Sequence, residues 1–202
     1  MSETSFTISS IALTHDYLFS KLTLIILLLK MFCAWRYWHL VLYPKQDGIL
    51  PQFMRWLTMT HTQRWHVAHD TAGTGHLYQG RYKSFPVETE TYLYTVLRYV
   101  ERNALRVNLV ARADQWRWGS VWVRAFGSAE QKKVLSTWPV EEPADYIEWV
   151  NEPQTDEEEA AIRRSVNRGQ PFGSEAWQKD IIQKFNLQAT VQRRGGYRRK
   201  GL

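Results

Sequence analysis

Residues 89–104 read TETYLYTVLRYVERNA, and their spacing decides what this part of the chain can build. Leu93, Val96, Leu97, Val100 and Ala104 recur at three- and four-residue intervals, which gathers them into one stripe of an α-helix. Thr89 stands where an N-cap belongs. Glu90 falls in the first turn, where a carboxylate meets the positive end of the helix dipole. Tyr99 and Asn103 are four apart, so they project together from the edge of the apolar stripe. A tyrosine so placed is either a packing residue with its hydroxyl in solvent, or a nucleophile that forms a phosphotyrosine when a nearby cation polarises the phosphate.

Upstream of that helix, residues 76–87 (HLYQGRYKSFPV) are rich in aromatics and predict an extended segment, with Arg81 and Lys83 two apart on one side. Cations so spaced suit the backbone of a nucleic acid. Earlier still, residues 38–43 (WHLVLY) alternate as a strand, with Tyr37, His39, Val41 and Tyr43 on one side and Trp38, Leu40 and Leu42 on the other. Pro44 and Asp47-Gly48 end it in a turn. Pro51 then opens a helix that runs to about His69, with Phe53, Trp56 and Leu57 as its apolar face, and Gly73 to Gly75 closes the unit. His39 is a candidate metal ligand, because side chains two apart on a strand point the same way; a lone strand histidine is more commonly structural. Among the other histidines only His66 and His69 have the i, i+3 spacing that puts two rings on one face, and solvated or DNA-facing rings are the simpler account of them.

Downstream, the Trp-rich connector WRWGSVW leads to an acidic segment of helical tendency, Glu152 to Glu159, continued by AAIRRSVNR. Gln170 to Gly173 makes a turn, and Ser174 to Phe185 is a short final helix. The tail from Val191 carries Arg193, Arg194, Arg198, Arg199 and Lys200 with no acid among them. It is either a solvated end or an electrostatic clamp on phosphates.

Composition sets the limits. The 202 residues, 44% apolar and 14% aromatic, suffice for one main core and a small appendage. Lys and Arg outnumber Asp and Glu by 26 to 20, which favours a polyanionic partner. The single cysteine, Cys33, allows no internal disulfide and no CxxC metal site, as in a reducing compartment. The apolar run LTLIILLL at 22–29 is far short of the roughly 20 residues that span a bilayer, and no basic region precedes it, so no membrane role is expected. There is no Gly-rich phosphate loop, no serine nucleophile elbow and no internal repeat.

Taken in order, WHLVLYP, QFMRWLTMTHTQRWH, YQGRYKSFPV, LRYVERNALRVNLV, WRWGS, NEPQT and RRSVNRGQPFG resemble the REP-associated tyrosine transposases, from about Trp38 to the C-terminus. The resemblance implies an α/β (α+β) fold of the HUH-nuclease kind: a central antiparallel sheet with helices on one face, followed by a C-terminal helical extension and the basic tail. It divides the chain into a divergent segment 1–33, a catalytic domain 34–125, an extension 126–190 and a tail 191–202. In that family a His-hydrophobe-His pair and an Asn hold Mg²⁺ or Mn²⁺, and a tyrosine four residues before the Asn attacks single-stranded DNA. A 5′-phosphotyrosine forms and a 3′-hydroxyl is freed. The substrates are palindromic repeats folded as hairpins.

Carried across, the resemblance makes Tyr99 the nucleophile, His39 and Asn103 metal ligands, and Arg81, Lys83 and the tail cations DNA contacts. It implies a cytoplasmic bacterial protein, held on the nucleoid when bound to DNA, and leaves monomer and homodimer both open. The departure is at position 37. Where the family has Met-Pro-Asn-His, this chain has Ala34-Trp35-Arg36-Tyr37, and a neutral phenol with a pKa near 10 is a poor substitute for the first histidine. Residues 1–33 also lack the family's opening strand and helix, as a frameshifted 5′ end would produce. Two functions lead, an impaired single-strand transposase or a DNA-binding remnant without turnover, and a membrane-associated product of the altered N-terminus is the third reading.

Overall fold

The structure, a computed structural model, describes residues 22–29, 38–89 and 91–192. Helix dominates them. Two strands, β1 (Leu22–Leu29) and β2 (Trp38–Pro44), pair antiparallel with an irregularity between Leu24 and Ile26. After them come α1 (Ile49–His69), α2 (Thr91–Glu101), α3 (Asn103–Arg106), a 3₁₀ turn (Ala113–Gln115), α4 (Ser120–Phe126), α5 (Ala129–Lys132), α6 (Tyr146–Asn151), α7 (Asp156–Arg168), α8 (Glu175–Lys184) and α9 (Gln188–Val191).

The expected central antiparallel sheet with helices on one face is therefore corrected: among the described residues one two-stranded ribbon stands against nine α-helices. The physical reason lies in residues 76–87. They were expected to supply an extended segment, yet they follow Gly73 and Gly75 in the left-handed region and run without regular structure up to Pro86, where the ring removes a backbone donor. Their one ladder contact is a single parallel bridge, Val87 to Phe172.

The contacts divide the chain into two units. The first comprises the described residues up to Tyr82 together with Leu97–Pro153. Here β2 follows the predicted alternation, because Leu40 and Leu42 pack on Ile49, Phe53 and Leu57 of α1. His39 belongs to the other side of the strand, with the exposed Tyr43. Gly48 enters α1 at φ 74°, a left-handed cap that glycine adopts at little cost, and Pro51 sits inside the first turn. Leu97, Val100, Ala104, Ala113, Val121, Trp138, Tyr146 and Val150 are buried in this unit.

The second unit comprises residues 83–96 and the described residues from Gln154 onward. Thr155 caps α7 through a reciprocal box with Glu158, and four acids in the first turn, Asp156 to Glu159, face the dipole favourably. Ser174 caps α8. Glu88 holds the Ser174 backbone N–H at 2.6 Å and its hydroxyl at 3.2 Å, while Gly173 has no room for a side chain because a Cβ would stand 2.5 Å from Trp177 and 2.8 Å from Glu88. Tyr92 meets Phe172 edge to face at 5.5 Å, and Gln154 donates to the Thr95 carbonyl at 3.0 Å.

Among the described residues no helix is long and apolar enough to cross a membrane. Tyr37, Cys33, Arg193, Arg194, Arg198, Arg199 and Lys200 lie outside the described residues, as does Glu90 beside the expected N-cap Thr89.

Candidate functional site

The apolar stripe of α2 places the chemistry of this region. Leu93, Val96, Leu97, Val100 and Ala104 are buried as their spacing requires, and the turns between them carry Arg98, Tyr99, Glu101, Arg102, Asn103 and Arg106. The backbone hardly breaks between α2 and α3, since Arg102 N–H bonds to Arg98 and Arg106 N–H to Arg102 in the helical pattern.

Tyr99 and Asn103 come together, as four-residue spacing dictates. They do not sit at the edge of the stripe: Tyr99 is only 7% exposed and Asn103 8%. A third residue joins them. The Arg106 guanidinium carbon lies 3.9 Å from the centre of the Tyr99 ring, and the same guanidinium donates to Asn103 Oδ1 at 3.0 Å and to the Tyr99 carbonyl at 3.3 Å. This is a cation on an aromatic face, reinforced by two hydrogen bonds. Position 106 was legible in principle, since it is seven residues from Tyr99 and three from Asn103 and so shares their face.

His39 is placed on β2, partly buried. Among the described residues no group of three or more His, Cys, Asp or Glu side chains is arranged to hold a metal ion. Asn103 does not fit the ligand role as it stands. Its carboxamide oxygen already accepts from Arg106, and a fixed positive charge 3.0 Å away repels a divalent cation. The helix histidines are engaged as well: His61 Nδ1 with the Tyr78 hydroxyl at 2.7 Å, His66 Nδ1 with Thr71 Oγ1 at 2.9 Å, and His69 Nδ1 with the Trp65 carbonyl at 3.0 Å.

Glu101, which spacing alone did not single out, is the buried charge of the first unit. It is 1% exposed; the Ser120 hydroxyl donates to its Oε1 at 2.5 Å and the Tyr146 hydroxyl at 2.9 Å. Oε2 has no hydrogen-bond partner. Burial pushes its carboxyl up to about 7, and the Ser120 and Tyr146 hydroxyls, the Arg124 charge and the Val121 backbone amide pull the other way without restoring it. The Tyr146 phenol is raised in turn, by burial first and by the neighbouring carboxylate second. Tyr146 also lines an open groove of about 380 Å³ with Arg124, Glu142, Asp145 and Glu148. Three carboxylates against one guanidinium make this a poor seat for a phosphodiester. Tyr99 and Asn103 do not line it.

The cations of this stretch are used inside the fold. Arg102 donates to the carbonyls of Val150 and Asn151 at 3.1 and 2.5 Å, which satisfies the carboxyl end of α6 and opposes its dipole. Arg98 lies over the Trp149 ring at 5.4 Å and 3.7 Å from Glu152. Arg112 pairs with Asp114 at 3.0 Å and Glu148 at 2.9 Å, and Asn151 closes the network through Asp114 Oδ1 and the Ala113 N–H. Arg81, Tyr82 and Lys83 differ: all three are exposed, and none has a hydrogen bond, ion pair or ring contact among the described residues.

No family model, no curated protein and no solved structure matches this chain.

Proposed function

We propose that this chain binds single-stranded, hairpin-forming DNA without cutting it, as a non-cleaving relative of the REP-associated tyrosine transposases. The observation that carries this is Arg106. Its guanidinium covers the Tyr99 ring, occupies one of the two lone pairs of the Asn103 carboxamide oxygen and sets a positive charge against any metal ion there, so both side chains are tied into packing. A phenol attacks a phosphodiester only when the phosphate reaches it and a cation stabilises the developing charge. What speaks against attack is that the Tyr99 ring is only 7% exposed and that the cation beside it, Arg106, lies on the ring face and bonds to Asn103; Tyr37 in place of the family's first histidine is a further departure.

Binding rests on different residues. The net charge is +6, and Arg81 and Lys83 are exposed cations with no partner among the described residues, while Arg102 and Arg106 are spent on the fold. Phosphate contacts of this kind give affinity that falls steeply with salt.

The test is an adduct assay on a labelled hairpin oligonucleotide with single-stranded flanks, with Mg²⁺ or Mn²⁺ supplied. The expected result is salt-sensitive binding with no covalent protein–DNA species, and Tyr37→His alone produces none. An adduct formed by the wild-type chain and lost in Tyr99→Phe overturns the proposal and makes the protein a working transposase.

A further inference from the structure

Asp47 and Gly48 turn the chain from β2 into α1, and both are exposed. The Asp47 carboxylate has no hydrogen bond or ion pair among the described residues, and no side chain caps α1, whose cap position is Gly48 itself. The Gly48 backbone N–H likewise has no acceptor among the described residues, and a Cβ built on Gly48 would meet nothing within 4 Å. One bond closes the turn, from the Ile49 N–H to the Gln46 carbonyl. At 3.4 Å it is longer than the usual length of roughly 2.9–3.0 Å.

We propose that Asp47 is a site of spontaneous isoaspartate formation, and that the modification loosens the corner at which β2 meets α1. The Gly48 nitrogen attacks Cγ of the Asp47 carboxyl in its acid form. The new bond closes a five-membered imide, and the amide proton and the carboxyl hydroxyl depart together as one water. Water then adds to either imide carbonyl and the C–N bond there breaks. Opening at Cγ restores aspartate, whereas opening at the former main-chain carbonyl leaves residue 47 joined to Gly48 through its side chain. The steps need water and no other reagent.

The structure of the turn favours this reaction. Glycine sets no side chain beside the attacking nitrogen, and neither reacting group has to give up a bond first. The peptide plane between them must rotate to bring nitrogen onto Cγ. A glycine at φ 74° in open space, with one long bond across the turn, resists that rotation little. The sequence has no second Asp-Gly and no Asn-Gly, so the chemistry is confined to this corner. Its consequence follows from what the turn joins. Isoaspartate lengthens the main chain by one methylene just where Leu40 and Leu42 are set against Ile49, Phe53 and Leu57, and close-packed apolar contacts tolerate such a shift poorly. None of this depends on whether the chain binds DNA.

The test ages the full chain in warm, mildly acidic buffer beside a synthetic peptide of residues 46–55, the span that trypsin releases. Isoaspartate at position 47 is read from the tryptic digest, because it has the mass of aspartate but a different retention and backbone fragmentation. It should accumulate in the full chain at a rate within about threefold of that in the peptide, since an exposed turn opens at almost no cost. Gly48→Asn, which keeps a residue tolerant of the left-handed region, should slow it several-fold, and Asp47→Glu should abolish it by enlarging the ring that has to close. Aged wild type should melt at a lower temperature than fresh protein and exchange the amides of residues 49–57 faster, while aged Asp47→Glu should match its fresh sample. A full chain that keeps its aspartate while the peptide isomerises overturns the proposal. Isoaspartate that forms with no change in melting or exchange refutes its effect on the corner.

Discussion

Two groups of cations, one before residue 84 and one from residue 98 on, are in opposite situations. In the stretch 98–112, Arg98, Arg102, Arg106 and Arg112 each grip a ring, a carbonyl or a carboxylate of the same unit, and the one buried acid among them, Glu101, is held by Ser120 and Tyr146. In the stretch 81–83, Arg81 and Lys83 grip nothing among the described residues. Charge alone does not mark a binding surface. A guanidinium committed to the fold must break its internal bonds to reach a phosphate, whereas an uncommitted one loses only rotamer entropy when it binds.

The largest expected effect belongs to Glu101, and it tests how firmly the inner group is built in. Its carboxyl binds a proton up to about pH 7 in the folded chain, against 4.5 for the ordinary value. The unfolded chain therefore carries fewer protons at this site between those limits, and stability falls as pH rises from about 4.5 to 7, with no contribution to the slope outside that window. The total is roughly 3 kcal/mol at about 1.4 kcal/mol per pH unit. Glu101→Gln keeps an acceptor for Ser120 and Tyr146 and removes the charge, so it should be more stable than wild type above pH 7 and lack this part of the slope in urea unfolding. A wild-type slope that survives the substitution unchanged would falsify the assignment.

Next in size is Arg102→Met, which keeps most of the side-chain stem and deletes the two bonds to the end of α6. A loss of about 2 kcal/mol is expected, the range for hydrogen bonds from a charged group to partly buried partners. Thermal unfolding measures it, and a change below half that value would mean water replaces the guanidinium freely. The smallest effect on stability should come from the double variant Arg81→Ala, Lys83→Ala, within about 0.5 kcal/mol of wild type because nothing internal is lost. The same variant should flatten the salt dependence of DNA binding by about two in slope. If it destabilises the fold and leaves binding intact, the contrast between the two groups is reversed.

How far the sequence could be read follows from the same contrast. The stripe of α2, the apolar face of α1, the alternation of β2 and the Ser174 start of the last long helix are local patterns, and each was visible because periodicity and capping act over a few residues. The acidic run from Glu152 reads as helical in tendency, but α7 begins at Asp156, where Thr155 and Glu158 form the capping box. The aromatic content of 76–87 imitated a strand, and no local signal says that a segment with good strand composition finds no ladder. Tyr99 and Asn103 were found together for the same local reason. What fills their surroundings was harder to see, since Glu101 owes its state to Ser120 and Tyr146, 19 and 45 residues further on.

The bond from Arg102 to the carbonyl of Val150 spans 48 residues. During synthesis, at about 5–20 residues per second, α2 leaves the ribosome seconds before the helix that it clamps. Throughout that interval its arginines and the Glu101 carboxyl face water, and the nascent segment is a basic amphipathic helix with its apolar stripe uncovered. Chaperone demand during translation should therefore peak between the emergence of residue 104 and that of the residues from Gln154 onward that complete the second unit, and a ribosome stalled in this interval should hold the chain in its most aggregation-prone form.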